Sequence, residues 1–155
     1  MSLGIFAVVN PSRGDDALGP LLMAELETQS LPGVTLVTDF QLQIEHALDL
    51  DGHDLALFID AGTGTPAPFD FYEVSASAGM SITTHALTPS EVLQVHAQLR
   101  PVTPPAFVLC IRGDHFDTRS SAMDLGIRSH VLARASALSA WNQRPSPAQS
   151  FMIWF

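Results

Sequence analysis

The stretch Leu3-Gly-Ile-Phe-Ala-Val-Val9, running on into Asn10-Pro-Ser-Arg-Gly-Asp15-Asp16-Ala-Leu-Gly19, decides the fold. Its first part is an apolar run of strand length. Beyond it Leu18, Leu21, Leu22 and Leu26 recur at helical spacing, so residues 10–17 lie where a strand turns into a helix. In an open α/β sheet such a junction borders the crevice where ligands bind. Two adjacent carboxylates there have two uses. One can cap the helix by accepting its orphan backbone N–H groups, leaving the other free to offer a hard oxygen ligand to a metal. The pair alone does not choose between these roles.

Outward from this junction, strands are expected at Val34 to Phe40, entered through the Pro32-Gly33 turn, at Leu55 to Asp60, at Phe69 to Ala76, and at Ala106 to Ile111. The run Leu55-Ala-Leu-Phe-Ile59 is apolar throughout, as suits a central strand covered on both faces. Helical segments alternate with the strands. A short one over Gln41 to Leu50 would present Leu42, Ile44, Ala47, Leu48 and Leu50 inward, and Asp51-Gly52 would stop it. A second begins at Thr88-Pro89-Ser-Glu91, which combines an N-cap, a proline at the first helical position and a capping-box glutamate. It should run to about Arg100 with Leu93 and Leu99 facing in, and a third should cover about Arg119 to Trp141. This alternation implies a single α/β domain over 1–155, a three-layer α/β/α sandwich with a mostly parallel or mixed sheet of about five strands. Residues 142–155 form a Pro-containing apolar tail, ending Phe151-Met-Ile-Trp-Phe155, that should pack back on the domain or meet a partner.

Composition narrows the function. A 155-residue chain that is 46% hydrophobic can bury a core without disulfides. No apolar run reaches the length of a membrane span, and the start lacks the basic segment of a secretion signal, so a soluble, cytoplasmic protein is expected. The net charge is −9 and the seven basic residues are all arginine and scattered, which excludes a nucleic-acid partner and any lysine-based chemistry. Cys110, inside the apolar strand 106–111, reads as a small core residue.

Two further positions carry chemistry. Asp60 closes an otherwise apolar strand, where a charge must reach solvent, find a partner or bind something. The glycines after it, Gly62-Thr-Gly64, lead into Pro66 and Pro68 instead of a helix, so they do not make a dinucleotide fingerprint. His85 lies on the loop feeding the helix that starts at Thr88. His96 reads as structural and His53 as exposed; His115, beside Asp114 after a strand end, reads as a surface residue, the alternative being that it borders a substrate groove. With the sheet edge in mind, Asp16, Asp60 and His85 are expected on three neighbouring loops.

These pieces, taken in order, resemble the hydrogenase maturation proteases, endopeptidases that trim the large subunit of [NiFe] hydrogenases. The matching residues are Asn10, Asp15-Asp16-Ala-Leu-Gly19, Asp60 at the end of Leu55 to Ile59, and His85 followed by Glu91-Val-Leu93. Asp39-Phe-Gln41-Leu42, Glu45-His46 and Asp49-Leu50 look like the branch serving soluble NAD-reducing or bidirectional hydrogenases. One departure stands out: Ala7-Val8-Val9-Asn10 replaces the usual Gly-x-Gly-Asn, and Val9 narrows the loop's approach to a ligand. The resemblance implies that Asp16, Asp60 and His85 are both the catalytic and the metal-contacting residues, with Asn10 and Asp15 shaping the loop. The metal would be nickel carried by the substrate, a [NiFe] hydrogenase large-subunit precursor, whose C-terminal extension is removed after nickel insertion. Two carboxylates and one imidazole suit Ni²⁺. Whether nickel polarises the carbonyl, activates water or only positions the substrate is left open, as is the choice of Asp16 or Asp60 as general base. The alternative is a non-catalytic nickel-sensing or chaperone-like module that binds the immature subunit.

Overall fold

The apolar runs become the three middle strands of one sheet. The computed structural model describes residues 2–8, 18–28, 31–62, 64–66, 69–77 and 86–112. In chain order the elements are β1 (Leu3–Val8), α1 (Leu18–Thr28), β2 (Val34–Asp39), α2 (His46–Asp49), β3 (Leu55–Gly62), β4 (Phe69–Val74), α3 (Pro89–Leu99) and β5 (Ala106–Arg112). The five strands lie in the order β2-β1-β3-β5-β4. All pairs are parallel except β4 with β5, which is antiparallel. The expected helix over 119–141 and the tail 142–155 lie outside the described residues, as do His115 and His130.

Because side chains alternate across a strand, the continuous apolar runs supply two cores. Leu3, Ile5 and Ala7 of β1, Leu55, Leu57 and Ile59 of β3, and Phe107, Leu109 and Ile111 of β5 share one face with Leu22, Met23 and Leu26 of α1. Phe6, Ala56, Phe58, Ala106 and Val108 point the other way, against Leu42, Ala47, Leu50, Val92, Leu93 and Val95. Three layers result. Phe6 and Phe58 stack across β1 and β3 with centroids 5.1 Å apart, and each buried ring contributes about 1.5–3 kcal/mol of hydrophobic stabilisation.

Local chemistry fixes the turns. Gly33 and Gly52 adopt φ of 75° and 81°, a left-handed conformation that carries little penalty only for glycine, and they turn the chain into β2 and away from α2. At α3 the Glu91 N–H donates to Thr88 Oγ1 at 3.3 Å, while the Thr88 N–H and O–H donate to Glu91 Oε2 at 2.7 and 2.8 Å. With Pro89 at the first helical position, this is the expected capping box. The hydrogen bonds from Thr88 hold the Glu91 carboxyl below its usual range.

Several expectations are corrected. The helix expected over 41–50 shrinks to the single turn of α2. Its first half is diverted: the Leu42 carbonyl accepts from the Leu87 N–H at 2.9 Å, and His46 Nδ1 accepts from the Gln43 N–H at 2.8 Å. Leu42, Ala47 and Leu50 are buried as expected, but Ile44 and Leu48 are more than half exposed, and Leu99 is 50% exposed at the end of α3. Asp60 does not close its strand. β3 runs on to Gly62 because β5 also runs on to Arg112, providing ladder partners Ala61↔Ile111 and Gly62↔Arg112. Cys110 is half-buried and not in the core interior. Among the described residues, no helix is long and apolar enough to cross a membrane.

Candidate active site

Strand order sets where ligands can enter. From β1 the chain passes outward to β2 on one flank, and the strands beyond β3 lie on the other, so the direction of winding reverses between β1 and β3. Open α/β sheets bind ligands in the crevice at the carboxyl ends of such strands. Ala7 pairs with Ile59, so Asp60 stands one residue beyond the last rung of that ladder, on the carboxyl side of the sheet. Its side chain is exposed. Oδ1 accepts from the Ala61 N–H at 2.8 Å, which fixes the carboxylate and directs one oxygen inward along the backbone. Oδ2 has no hydrogen-bond partner among the described residues.

The pleat gathers further polar groups beside it. Asp60 pairs with Cys110 of β5, and Cys110 pairs with Asp70 of β4, so all three side chains share the α2/α3 face. Cys110 Sγ lies 3.0 Å from Thr65 Oγ1, which closes the turn after β3. Gly62 makes that closure possible. A Cβ at this position would stand 2.6 Å from Thr65 Oγ1 and 2.9 Å from Cys110 Sγ. Tyr72, one pleat along from Asp70, is half-exposed. Partial burial pushes its phenol above the ordinary value, and negative charge on Cys110, Asp70 and Asp60 pushes it further. At neutral pH it is therefore a neutral O–H donor. The edge thus combines an exposed carboxylate, a thiol and a phenol.

Of the expected ligand set, Asp60 is the member that the described residues include. Asn10, Asp15, Asp16 and His85 fall outside them. The elements that flank those residues are described: β1 ends at Val8 and α1 begins at Leu18. Leu87 is tied by its N–H to Leu42, just beyond the carboxyl end of β2. Among the described residues no group of three or more His, Cys, Asp or Glu stands close enough to hold a metal ion. The sequence reading misses Asp70, Tyr72 and the Thr65–Cys110 contact. A period of two marks which residues of a strand share a face, but only the pairing register brings faces of different strands together.

The histidines among the described residues are structural. His46 is buried; its Nδ1 accepts a hydrogen bond, so Nε2 carries the proton and faces Asp39 Oδ2 at 3.5 Å. His96, also buried, as expected of a structural residue, lies between Thr103 Oγ1 at 3.1 Å and Asp51 Oδ1 at 3.2 Å. His53, expected to be exposed, is half-buried against Gly4, where a Cβ would come within 2.9 Å of the ring. Asp51 also accepts from Arg100 Nε at 2.9 Å and from Nη2. Hydrogen bonding to Arg100 is the main reason the Asp51 carboxyl lies below its ordinary range. This cluster sits at the amino edge of the sheet, opposite Asp60.

Fold and edge together define an open α/β domain whose winding reverses between β1 and β3, with Asp60 at that point. No family model and no curated protein matches the chain. Solved structures do match. The hydrogenase maturating endopeptidase HybD from E. coli is 18% identical, with 88% of this chain and 93% of that one covered at a TM-score of 0.58. The [NiFe] hydrogenase maturation protease HycI from Thermococcus kodakarensis is 19% identical, with 87% and 90% covered at a TM-score of 0.60. A hydrogenase 2 maturation peptidase from a Thaumarchaeota archaeon is 17% identical, with 88% and 99% covered at a TM-score of 0.51. The chain therefore has the fold of the hydrogenase maturation peptidases over nearly their whole length.

Proposed function

We propose that this protein is an endopeptidase that removes the C-terminal extension of a [NiFe] hydrogenase large-subunit precursor, docking on nickel already inserted in that precursor. The observation that carries the reading is the shared fold with three proteins named for this maturation step, joined to the exposed carboxylate of Asp60 at the turning point of the sheet. In this reading Asp16 and Asp60 offer carboxylate oxygens and His85 an imidazole nitrogen to the substrate's nickel. The donor set suits a borderline cation, and leaves coordination positions for the substrate's own ligands.

Docking on the metal would hold the adjoining peptide bond against the crevice and convert its hydrolysis into a local event. A carboxylate at the edge, Asp16 or Asp60, takes a proton from the attacking water. Requiring nickel for docking also gives the enzyme its timing, since a precursor without metal offers the carboxylates and imidazole nothing to bind. The test is intact-mass analysis of nickel-loaded and nickel-free precursor after incubation with the protein. Release of a C-terminal peptide from the loaded form alone is expected. Binding of loaded precursor without any mass loss would refute the peptidase and favour a nickel-sensing chaperone.

A further inference from the structure

The outer edge of the sheet at β2 has a feature that the peptidase reading does not use. The Leu3 N–H donates to the Gly33 carbonyl at 2.8 Å, and Leu3 pairs with Val34. Backbone polar groups point alternately to the two sides of a strand. Gly33, Thr35, Val37 and Asp39 therefore direct their N–H and C=O groups toward β1, and Val34, Leu36 and Thr38 direct theirs outward. The Val34 N–H is used by Leu31 O, and the Phe40 N–H beyond the strand by Asp39 Oδ1. Leu36 and Thr38 pair with no described residue on that side.

Edge strands normally carry lysine, proline or a bulge that prevents pairing. The sequence Val34-Thr-Leu-Val-Thr-Asp39 has none of these, and its one charge is at the end. Directly past that end stands Phe40, 67% exposed, and then Ile44 and Leu48, which are one helical turn apart and more than half exposed. Asp39, Glu45 and Asp49 neighbour these apolar residues in the chain and make the segment negatively charged.

We propose that this edge receives an extended segment of the precursor as a sixth strand, with apolar and basic side chains meeting Phe40, Ile44, Leu48 and the carboxylates beside them in the chain. The inference rests on the processing activity proposed above. Geometry favours this occupant. A strand added outside β2 lies three strand spacings from β3, about 14 Å, a gap that about four extended residues cross to reach Asp60. A second copy of the chain is the poorer partner, because each copy has a net charge of −9 and edge pairing would bring these carboxylates together.

The test is hydrogen exchange at the Leu36 and Thr38 amides of the full chain, alone and with nickel-loaded precursor, beside steady-state kinetics of Thr38→Pro. Proline removes an outward N–H and spares the ladder to β1. Expected are slowed exchange at both amides on binding and a rise in KM of about tenfold with kcat little changed. Leu99→Ser, at an exposed apolar residue at the end of α3, should keep the wild-type KM. Unchanged exchange in the complex would overturn the proposal even if Thr38→Pro misfolds. Protection already present in the free protein, together with dimers in sedimentation, would overturn it in favour of a second copy. Failure of the wild type to cut a precursor whose binding slows exchange at both amides would refute the peptidase reading and leave the edge supported.

Discussion

Replacing Gly62 with alanine probes the packing beside Asp60, and its effect should change sign with its surroundings. In the wild type the new methyl would lie 2.6 Å from Thr65 Oγ1 and 2.9 Å from Cys110 Sγ, two atoms that are themselves 3.0 Å apart. At least one must move. Overpacking of this kind costs about 1–3 kcal/mol, and loss of the Thr65–Cys110 contact adds up to about 1 kcal/mol. Against this, alanine restricts the unfolded chain more than glycine does, a gain of about 0.4–1 kcal/mol. Gly62 is not at positive φ, so the backbone tolerates a side chain. Gly62→Ala should therefore destabilise the wild type by about 1–2 kcal/mol net. In a Thr65→Ala, Cys110→Ala background both obstructing atoms are gone, and the same substitution should stabilise by about 0.5 kcal/mol. Urea unfolding of the four proteins measures the cycle. The same cost in both backgrounds would refute the argument that Gly62 is held open for the Thr65–Cys110 contact.

Three further outcomes are expected. Asp60→Asn keeps an oxygen to accept from the Ala61 N–H, so its unfolding midpoint should stay within about 0.5 kcal/mol of wild type. Release of the peptide from nickel-loaded precursor should be lost, and wild-type processing would remove Asp60 from the mechanism. Asp51, whose carboxyl is held low by Arg100, stabilises the fold above the ordinary carboxylate range, an advantage lost as pH falls through its depressed value. The melting temperature of wild type should thus exceed that of Asp51→Asn at pH 7, and the gap should close on acidification; a pH-independent gap would contradict this. Thr88→Ala removes the side-chain cap of α3 and should cost about 1 kcal/mol in the same urea assay.

The parts of this fold legible in the sequence are those set by local chemistry. Three continuous apolar runs announce buried strands, and Thr88, Pro89 and Glu91 fix the start of α3 almost to the residue. What the sequence hides is set by partners distant in the chain. Asp60 lies inside β3 only because β5 extends to Arg112 beside it, and β4 reads equally well as parallel or antiparallel until its register with β5 is known. Ile44, Leu48 and Leu99 have helical spacing yet stay exposed, because the pattern gives a face without saying whether the neighbouring element is long enough to cover it. For the candidate site, Asp60 is legible as a charge in an apolar run. Tyr72, Asp70 and Thr65 become visible only when strands from separate regions are laid side by side. Asp16 and His85, equally legible as sequence, lie outside the described residues.

The strand order also governs how the chain reaches this state. β3 and β4 follow each other in sequence without being neighbours in the sheet, and every pair that does form ladder bonds is separated by more than twenty residues of chain. No hairpin exists among the described strands to nucleate early, so each rung waits for a loop of tens of residues to close. Folding should therefore take milliseconds to seconds, not microseconds. During that interval the apolar strands β1, β3 and β5 are exposed together, which makes a newly made chain most vulnerable to aggregation before the sheet closes.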